Sequence, residues 1–235
     1  MWLLAAFSAS NLFSLKVSGA TSSGGKSHLI PTPYVVKMAL IDASFRLDGR
    51  GEEDFAWIRP LTIAFQVPEA VVVNNNFVKV LKEARDGDET YQQTVGLRQY
   101  VYWHGPIRIA FEIGGLSELQ RERLSRLVTL VNYFGKRGSF VQYRGQEITA
   151  ELEAGFSFDM NEPRKPGNGP LSREMLIQMM DDMGGSSGFD AFNSYSSSRQ
   201  KLHEDRIFRP IVLVSVKEAS SRGYTLYRAL SPSPA

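Results

Sequence analysis

Between Ser117 and Gln146 the chain carries Arg121, Arg123, Arg126, Lys136, Arg137 and Arg144 against only Glu118 and Glu122. That local charge of +4 (six minus two) exceeds the +2 of the whole 235-residue chain. Within this stretch, Phe134-Gly-Lys-Arg-Gly-Ser-Phe140 combines two cations, glycines and aromatic ends. Glycine lets a backbone approach phosphate closely and leaves N–H groups free to bind it. Lys136 and Arg137 supply counter-charge, Ser139 a hydroxyl, and Phe140 or Tyr143 a face on which a base can stack, with Arg144 close behind. The bland reading of the same residues is a tight solvated turn after a helix. A second candidate set is Lys16, Lys26, His28 and Lys37. These surround a Gly/Ser-rich segment, Ser18 to Ser27, that leads into a helix N-terminus, where phosphate is favoured. An ordinary flexible loop is the alternative there.

Candidates for catalysis are fewer. His28, Tyr34 and Lys37 are the types that metal-free ribonuclease chemistry uses, with imidazole or phenol for proton transfer and ammonium for the phosphorane. Equally, Tyr34 belongs to an apolar helix, Lys37 forms its exposed rim and His28 sits in a loop, so no catalytic residue is assigned. Ser22-Ser-Gly-Gly-Lys-Ser27 imitates only the end of a P-loop, and Pro31 and Pro33 intervene before the helix. Neither a Gly-x-Ser-x-Gly elbow nor a His-Glu-x-x-His pair occurs. Asp181-Asp182 reads as a solvated helix end beside Gly184-Gly185 rather than a metal site. With no cysteine and only His28, His104 and His203, cysteine-ligated zinc and iron–sulfur sites are excluded and a multi-imidazole metal site is disfavoured. No metal or cofactor is expected.

The elements that must position these residues follow from pattern. Met1 to Ala9, MWLLAAFSA, lacks the basic start of a signal peptide and reads as a buried strand from Trp2. No apolar run is long enough for a membrane span. Thr32 and Pro33 are cap and first residue of a helix through Phe45, apolar nearly all round and therefore buried. Leu61–Val67 and Ile107–Ile113 alternate as strands. Between them Phe77–Ala84 is strand or short helix and Arg85–Glu89 a turn, so about residues 68–106 form a long hairpin insertion. Ser117 and Gln120 fit a capping box. It opens a helix whose stripe runs Leu116, Leu119, Leu124, Leu127, Val128, Leu130, Val131 and Phe134, and which Gly135 ends. Ser139 to Arg144 is a strand. Beyond it, Leu171–Met183 reads as a short amphipathic helix and Gly184–Ser198 as mobile. Ile207–Val216 reads as a strand with Pro210 at a bulge or edge, and Tyr224–Ala229 pairs back after Gly223. The fold class is α+β: a ferredoxin-like (RRM-like) βαββαβ domain over residues 1–152 with a hairpin insertion, then an irregular C-terminal extension over 153–235 whose strand returns to the sheet.

The combination resembles the RAMP superfamily of CRISPR-associated proteins, and within it the Cas-five branch. The resemblance rests on four features: the opening strand; the Gly/Ser-rich basic loop before Ile30-Pro-Thr-Pro-Tyr-Val-Val-Lys-Met-Ala-Leu40; the hairpin after the second strand; and the turn Asn132-Tyr-Phe-Gly-Lys-Arg-Gly-Ser-Phe140. It covers roughly residues 1–150. It implies a cytoplasmic prokaryotic subunit of a type I interference complex (Cascade). Such a subunit holds the 5′ handle of the guide RNA (crRNA), caps the backbone filament and packs against the large subunit, with target DNA as a further possible contact. By position, Lys26 and Lys37 would lie near the handle and Lys136 and Arg137 on phosphates. Lys79, Lys82, Arg85 and Arg98 would lie on a thumb touching the neighbouring backbone subunit. The competing readings are a metal-independent repeat endoribonuclease and a protein-interaction scaffold without nucleic acid.

Overall fold

The computed structural model describes residues 1–21, 24–83, 91–136, 138–163, 175–193 and 195–230. In chain order the elements are β1 (Trp2–Ala9), β2 (Leu15–Lys16), β3 (Gly24–Gly25), β4 (Ser27–His28), α1 (Pro33–Asp48), α2 (Gly51–Ile58), β5 (Ile63–Gln66), β6 (Ala70–Glu83), β7 (Tyr91–His104) and β8 (Ile107–Glu112). There follow α3 (Glu118–Leu130), β9 (Val141–Thr149), β10 (Phe158–Asp159), β11 (Leu176–Met183), a short 3-10 turn at Phe189–Ala191, β12 (Arg206–Leu213), β13 (Ser215–Ser220) and β14 (Tyr224–Ala229). Among the described residues no helix is long and apolar enough to cross a membrane.

A four-stranded sheet in the order β5-β8-β1-β9 forms the centre, and each of its neighbours runs antiparallel. Period-two alternation sorts its side chains. Leu3, Ala5 and Phe7 of β1 join Ile107, Ile109 and Phe111 of β8 in one core cluster with Val36 and Leu40 of α1 and Leu124, Leu127 and Val128 of α3. Phe7 makes edge-on contacts with Phe134 and Tyr143 at centroid distances of 5.3 and 6.0 Å. On the opposite face Trp2, Leu4, Ala64 and Ala110 are covered by Leu152 and Phe156.

The helix starts follow the sequence. Thr32 Oγ1 accepts from the Val35 N–H at 3.3 Å, and both halves of the Ser117–Gln120 capping box form. The helix ends differ. α1 runs on to a left-handed Gly49, and the short helix α2 follows it without a sequence signal we read. α3 stops at Leu130, before Gly135, because Asn132 is drawn into the next ladder, its carbonyl accepting from the Val141 N–H at 2.9 Å. Leu119, on the expected stripe, is 77% exposed.

β6 and β7 pair without interruption from Ala70↔His104 to Glu83↔Tyr91. Their base is widened into a five-stranded sheet, β13-β14-β6-β7-β3. β14 flanks β6 only as far as Asn74, and β3 flanks β7 only at Leu97 and Arg98. Beyond these rows the hairpin continues as a two-stranded ribbon of about 20 Å, from Val78 to Glu83 at roughly 3.4 Å per residue.

The C-terminal stretch departs most from expectation, since it is built of strands rather than irregular. Leu176–Met183 is strand β11, not helix, because the β-branched run of β12 needs a ladder partner and tertiary pairing overrides local propensity. Leu171 to Arg173 and Glu174 fall outside the described residues. β12 joins a separate three-stranded sheet, β10-β12-β11, and it is β14 that returns to the hairpin. β12 is the central strand of its sheet and has no bulge at Pro210, but there it is a local edge on the β10 side. The Pro210 carbonyl accepts from the Met160 N–H at 3.0 Å, so its ring nitrogen faces the same side, where β10 has already stopped at Asp159. In the Gly/Ser-rich stretch that follows, Phe189 packs on Phe45 and Phe55, and Phe192 on Tyr34 and Phe55, which anchors it to α1 and α2.

Candidate nucleic-acid interface

The segment leaving β1 organises both glycine-containing loops. β2 and β4 pair as Leu15↔His28 and Lys16↔Ser27, and the Val17 N–H donates to the Lys26 carbonyl at 3.0 Å. Lys16 and Lys26 therefore lie on neighbouring rungs of this short ladder, both exposed. The loop is clasped to the hairpin by Gln99, whose side-chain oxygen accepts from the Ser27 N–H at 2.9 Å while its amide donates to Asn75 Oδ1 at 3.0 Å.

The turn after α3 lies against the same segment. Tyr133 and Phe140 bridge, Phe134 and Ser139 are buried, and Gly138 has φ +103°. Gly135, at φ +74°, admits Leu15 so closely that a Cβ there would stand 2.7 Å from Leu15 Cδ2; only glycine satisfies both demands. Asn11 Nδ2 donates to the Gly138 carbonyl at 2.8 Å, and the Ser10 N–H donates to that of Phe140 at 2.9 Å. Lys136 is exposed, and Phe140 offers 49% of its surface. Arg144, one strand over, donates to Ser8 Oγ at 3.0 Å and is exposed. Lys16, Lys26, Lys136, Phe140 and Arg144 thus gather where β1 leaves the sheet, and among the described residues none of the four cations is ion-paired. Arg137 lies outside the described residues.

Other candidates are placed elsewhere. Lys37, expected on an exposed rim or near RNA, is 2% exposed, with Nζ 2.6 Å from Asp182 Oδ1. His28 is 4% exposed, and burial lowers its pKa below the usual 6.5 against the raising effect of Asp181. Tyr34 lies under the Arg206 guanidinium at 4.6 Å, its hydroxyl accepting from Gln200 Nε2 at 3.3 Å. With His28 and Lys37 shut from solvent, the three do not form a surface able to meet a phosphodiester. On the hairpin, Lys79 is exposed on the ribbon and Arg98 sits at its base. The Lys82 side chain and Arg85 fall outside the described residues.

Several expected surface charges are structural. Asp181 and Asp182 are buried on β11, where consecutive residues point to opposite faces. Asp181 pairs with Arg206, and Asp182 with Lys37. Arg123 bridges Asp54 at 2.6 Å and Asp48 at 2.8 Å, and its hydrogen bond pushes the Asp48 carboxyl down to about 2. Arg121 donates to the carbonyls of Ile113 and Gly114 at 3.0 and 3.2 Å. Two of the six cations between Ser117 and Gln146 are therefore spent on the fold. No cluster able to hold a metal ion exists among the described residues.

No family model matches the chain. It is similar to the CRISPR-associated protein Cas5 of Archaeoglobus fulgidus, 27% identical over 104 residues, which are 42% of this chain and 46% of that protein. The chain thus spans about half the length of this curated relative. Among solved structures, a CRISPR protein from Archaeoglobus fulgidus matches with a TM-score of 0.49 and 12% identity, over 98% of this chain and 92% of the other. A chain of a CRISPR RNA-guided surveillance complex matches with a TM-score of 0.48 and 11% identity, over 91% and 89%.

Proposed function

We propose that this chain is a Cas5-like, non-catalytic RNA-binding subunit of a CRISPR type I interference complex, working in a prokaryotic cytoplasm. It holds the 5′ handle of the crRNA and caps the backbone filament beside the large subunit. The observation that carries the reading is the convergence of Lys16, Lys26, Lys136 and Arg144 around two glycine-containing turns with the exposed Phe140 between them. Cations fix phosphates, free backbone N–H groups add directional contacts, and an exposed ring takes a base. The 104-residue similarity to a Cas5 protein supports it.

A ferredoxin-like reading of residues 1–152, with the rest as an extension, is supported by the strand order β5-β8-β1-β9 and its antiparallel pairings. The thumb reading of the hairpin is supported by Phe77, Leu81, Tyr91 and Val95, all more than half exposed on the ribbon beyond the body. A ribbon with such a face gains from a protein partner, for which the backbone subunit is the proposed occupant.

The test is RNA binding by the full chain. Lys26→Ala with Lys136→Ala is expected to weaken binding of a CRISPR-repeat RNA and to reduce the salt slope by about two, roughly one per lost phosphate contact. An unchanged affinity and slope would leave the scaffold reading. Metal-independent cleavage of that RNA in EDTA would replace the proposal with the endoribonuclease.

A further inference from the structure

The outer face of the hairpin base is the strongest unassigned surface. Residues paired across neighbouring antiparallel strands point to the same side, so the registers define its rows. Tyr224, Asn74 and Tyr100 form one row, and Leu226, Val72 and Tyr102 the next. Asn76 and Arg98 form a third row toward the ribbon. The reverse face of these strands carries the buried Val73, Val101 and Trp103, so the tyrosine rows face away from the core. Tyr102 is 48% exposed and Tyr224 41%. Arg222, at the turn beside Tyr224, is exposed, and its carbonyl accepts from Asn75 Nδ2 at 3.3 Å.

The surface continues into the basic loop. β3 lies beside β7 with Gly25 opposite Arg98, and a Cβ on Gly25 would stand 2.9 Å from Arg98 Nη1 and 3.0 Å from its Cδ. The missing side chain thus lets Arg98 lie across the seam toward the segment that bears Lys26. One cationic and aromatic path therefore leads from Lys26 over Arg98 onto the tyrosines.

We propose that the face bearing Tyr100, Tyr102 and Tyr224 is a stacking platform for single-stranded RNA, continuous with the Lys26 loop and taking about two bases. Ring faces on an antiparallel sheet stack unpaired bases regardless of sequence, while Asn74 and Asn76 offer amide donors and acceptors to base edges. Arg98 and Arg222 flank the rows with positive charge, and this complementarity, with the continuity to Lys26, favours a polyanion as occupant. The inference rests on the RNA-binding reading above and names a second part of that site.

The experiment measures binding of a fluorescent oligouridylate and of the matching oligodeoxythymidylate by the full chain at several salt concentrations. Tyr102→Leu with Tyr224→Leu is expected to weaken RNA binding about tenfold or more with the salt slope unchanged, whereas Tyr102→Phe with Tyr224→Phe keeps the affinity. Photocrosslinking of 5-iodouridine RNA is expected to label Tyr102 or Tyr224. If the leucine variant binds normally and neither tyrosine is labelled, while Lys26→Ala still lowers affinity and slope, the platform is overturned and the basic site stands. Loss of the Lys26 effect as well overturns both. Tighter binding of the DNA oligonucleotide than of RNA overturns the choice of occupant.

Discussion

A lysine taken out of water needs a matched charge, and Lys37 has one in Asp182 at 2.6 Å. Burial lowers the Lys37 pKa and the carboxylate opposes the fall. Lys37→Met leaves Asp182 with Arg209, whose Nε is 3.7 Å away, as its remaining cation. The variant is expected to lose up to about 3–5 kcal/mol in urea unfolding, and Lys37→Met with Asp182→Leu to recover most of it. His28 makes a pH prediction. Its folded pKa is depressed, so above the unfolded value near 6.5 both states are neutral and the contribution is intact. As pH falls below that value the unfolded chain takes up the proton first, and stability drops until the folded pKa is passed. Melting between about pH 7 and pH 5 should fall more steeply for the native chain than for His28→Gln; equal slopes would contradict this. Neither residue's surroundings were legible in the sequence, because Asp182 and Gln178 lie some 145 and 150 positions away along the chain. Lys16, Lys26, Lys136 and Arg144 were legible, since a cation among glycines or on a short strand has no apolar surface to hide against.

At the scale of elements the hairpin divides just beyond the row of Phe77 and Leu97. Up to that row β14, β3 and the body lock the ladder, while above it two strands stand alone, and an unsupported two-stranded ribbon is marginally stable in water. Hydrogen exchange should therefore be much faster at Val78, Val80 and Thr94 than at Val71, Val73 and Val101, and should slow when a partner covers Phe77 and Leu81. Uniform exchange along the hairpin would contradict this division. Elements with a local signal were readable: a proline at a first helical position, a capping box, clean alternation in Ile107–Ile113. Those fixed by a distant partner were not. β11 is a strand because β12 lies beside it, and α3 stops before Gly135 because Val141 claims the Asn132 carbonyl.

Across the whole molecule, a net charge of +2 conceals an uneven distribution. Arg123, Arg206 and Arg209 are consumed by buried or half-buried aspartates, while the end of the sheet where β1 leaves keeps four cations without an ion pair among the described residues. Adding a repeat RNA should raise the melting temperature at low salt, and the gain should shrink steeply as salt rises. A salt-independent gain would mean that binding does not run through these cations. The Gln99 clasp sets a rule for anyone who prunes the protein. A ribbon trimmed only beyond Phe77 and Leu97 keeps the Ser27 N–H satisfied and Gly24 and Gly25 paired to β7, and so the glycine-rich loop in its seat. An excision at the root releases both, so loss of RNA binding in such a truncate would report an unfastened loop rather than a missing thumb.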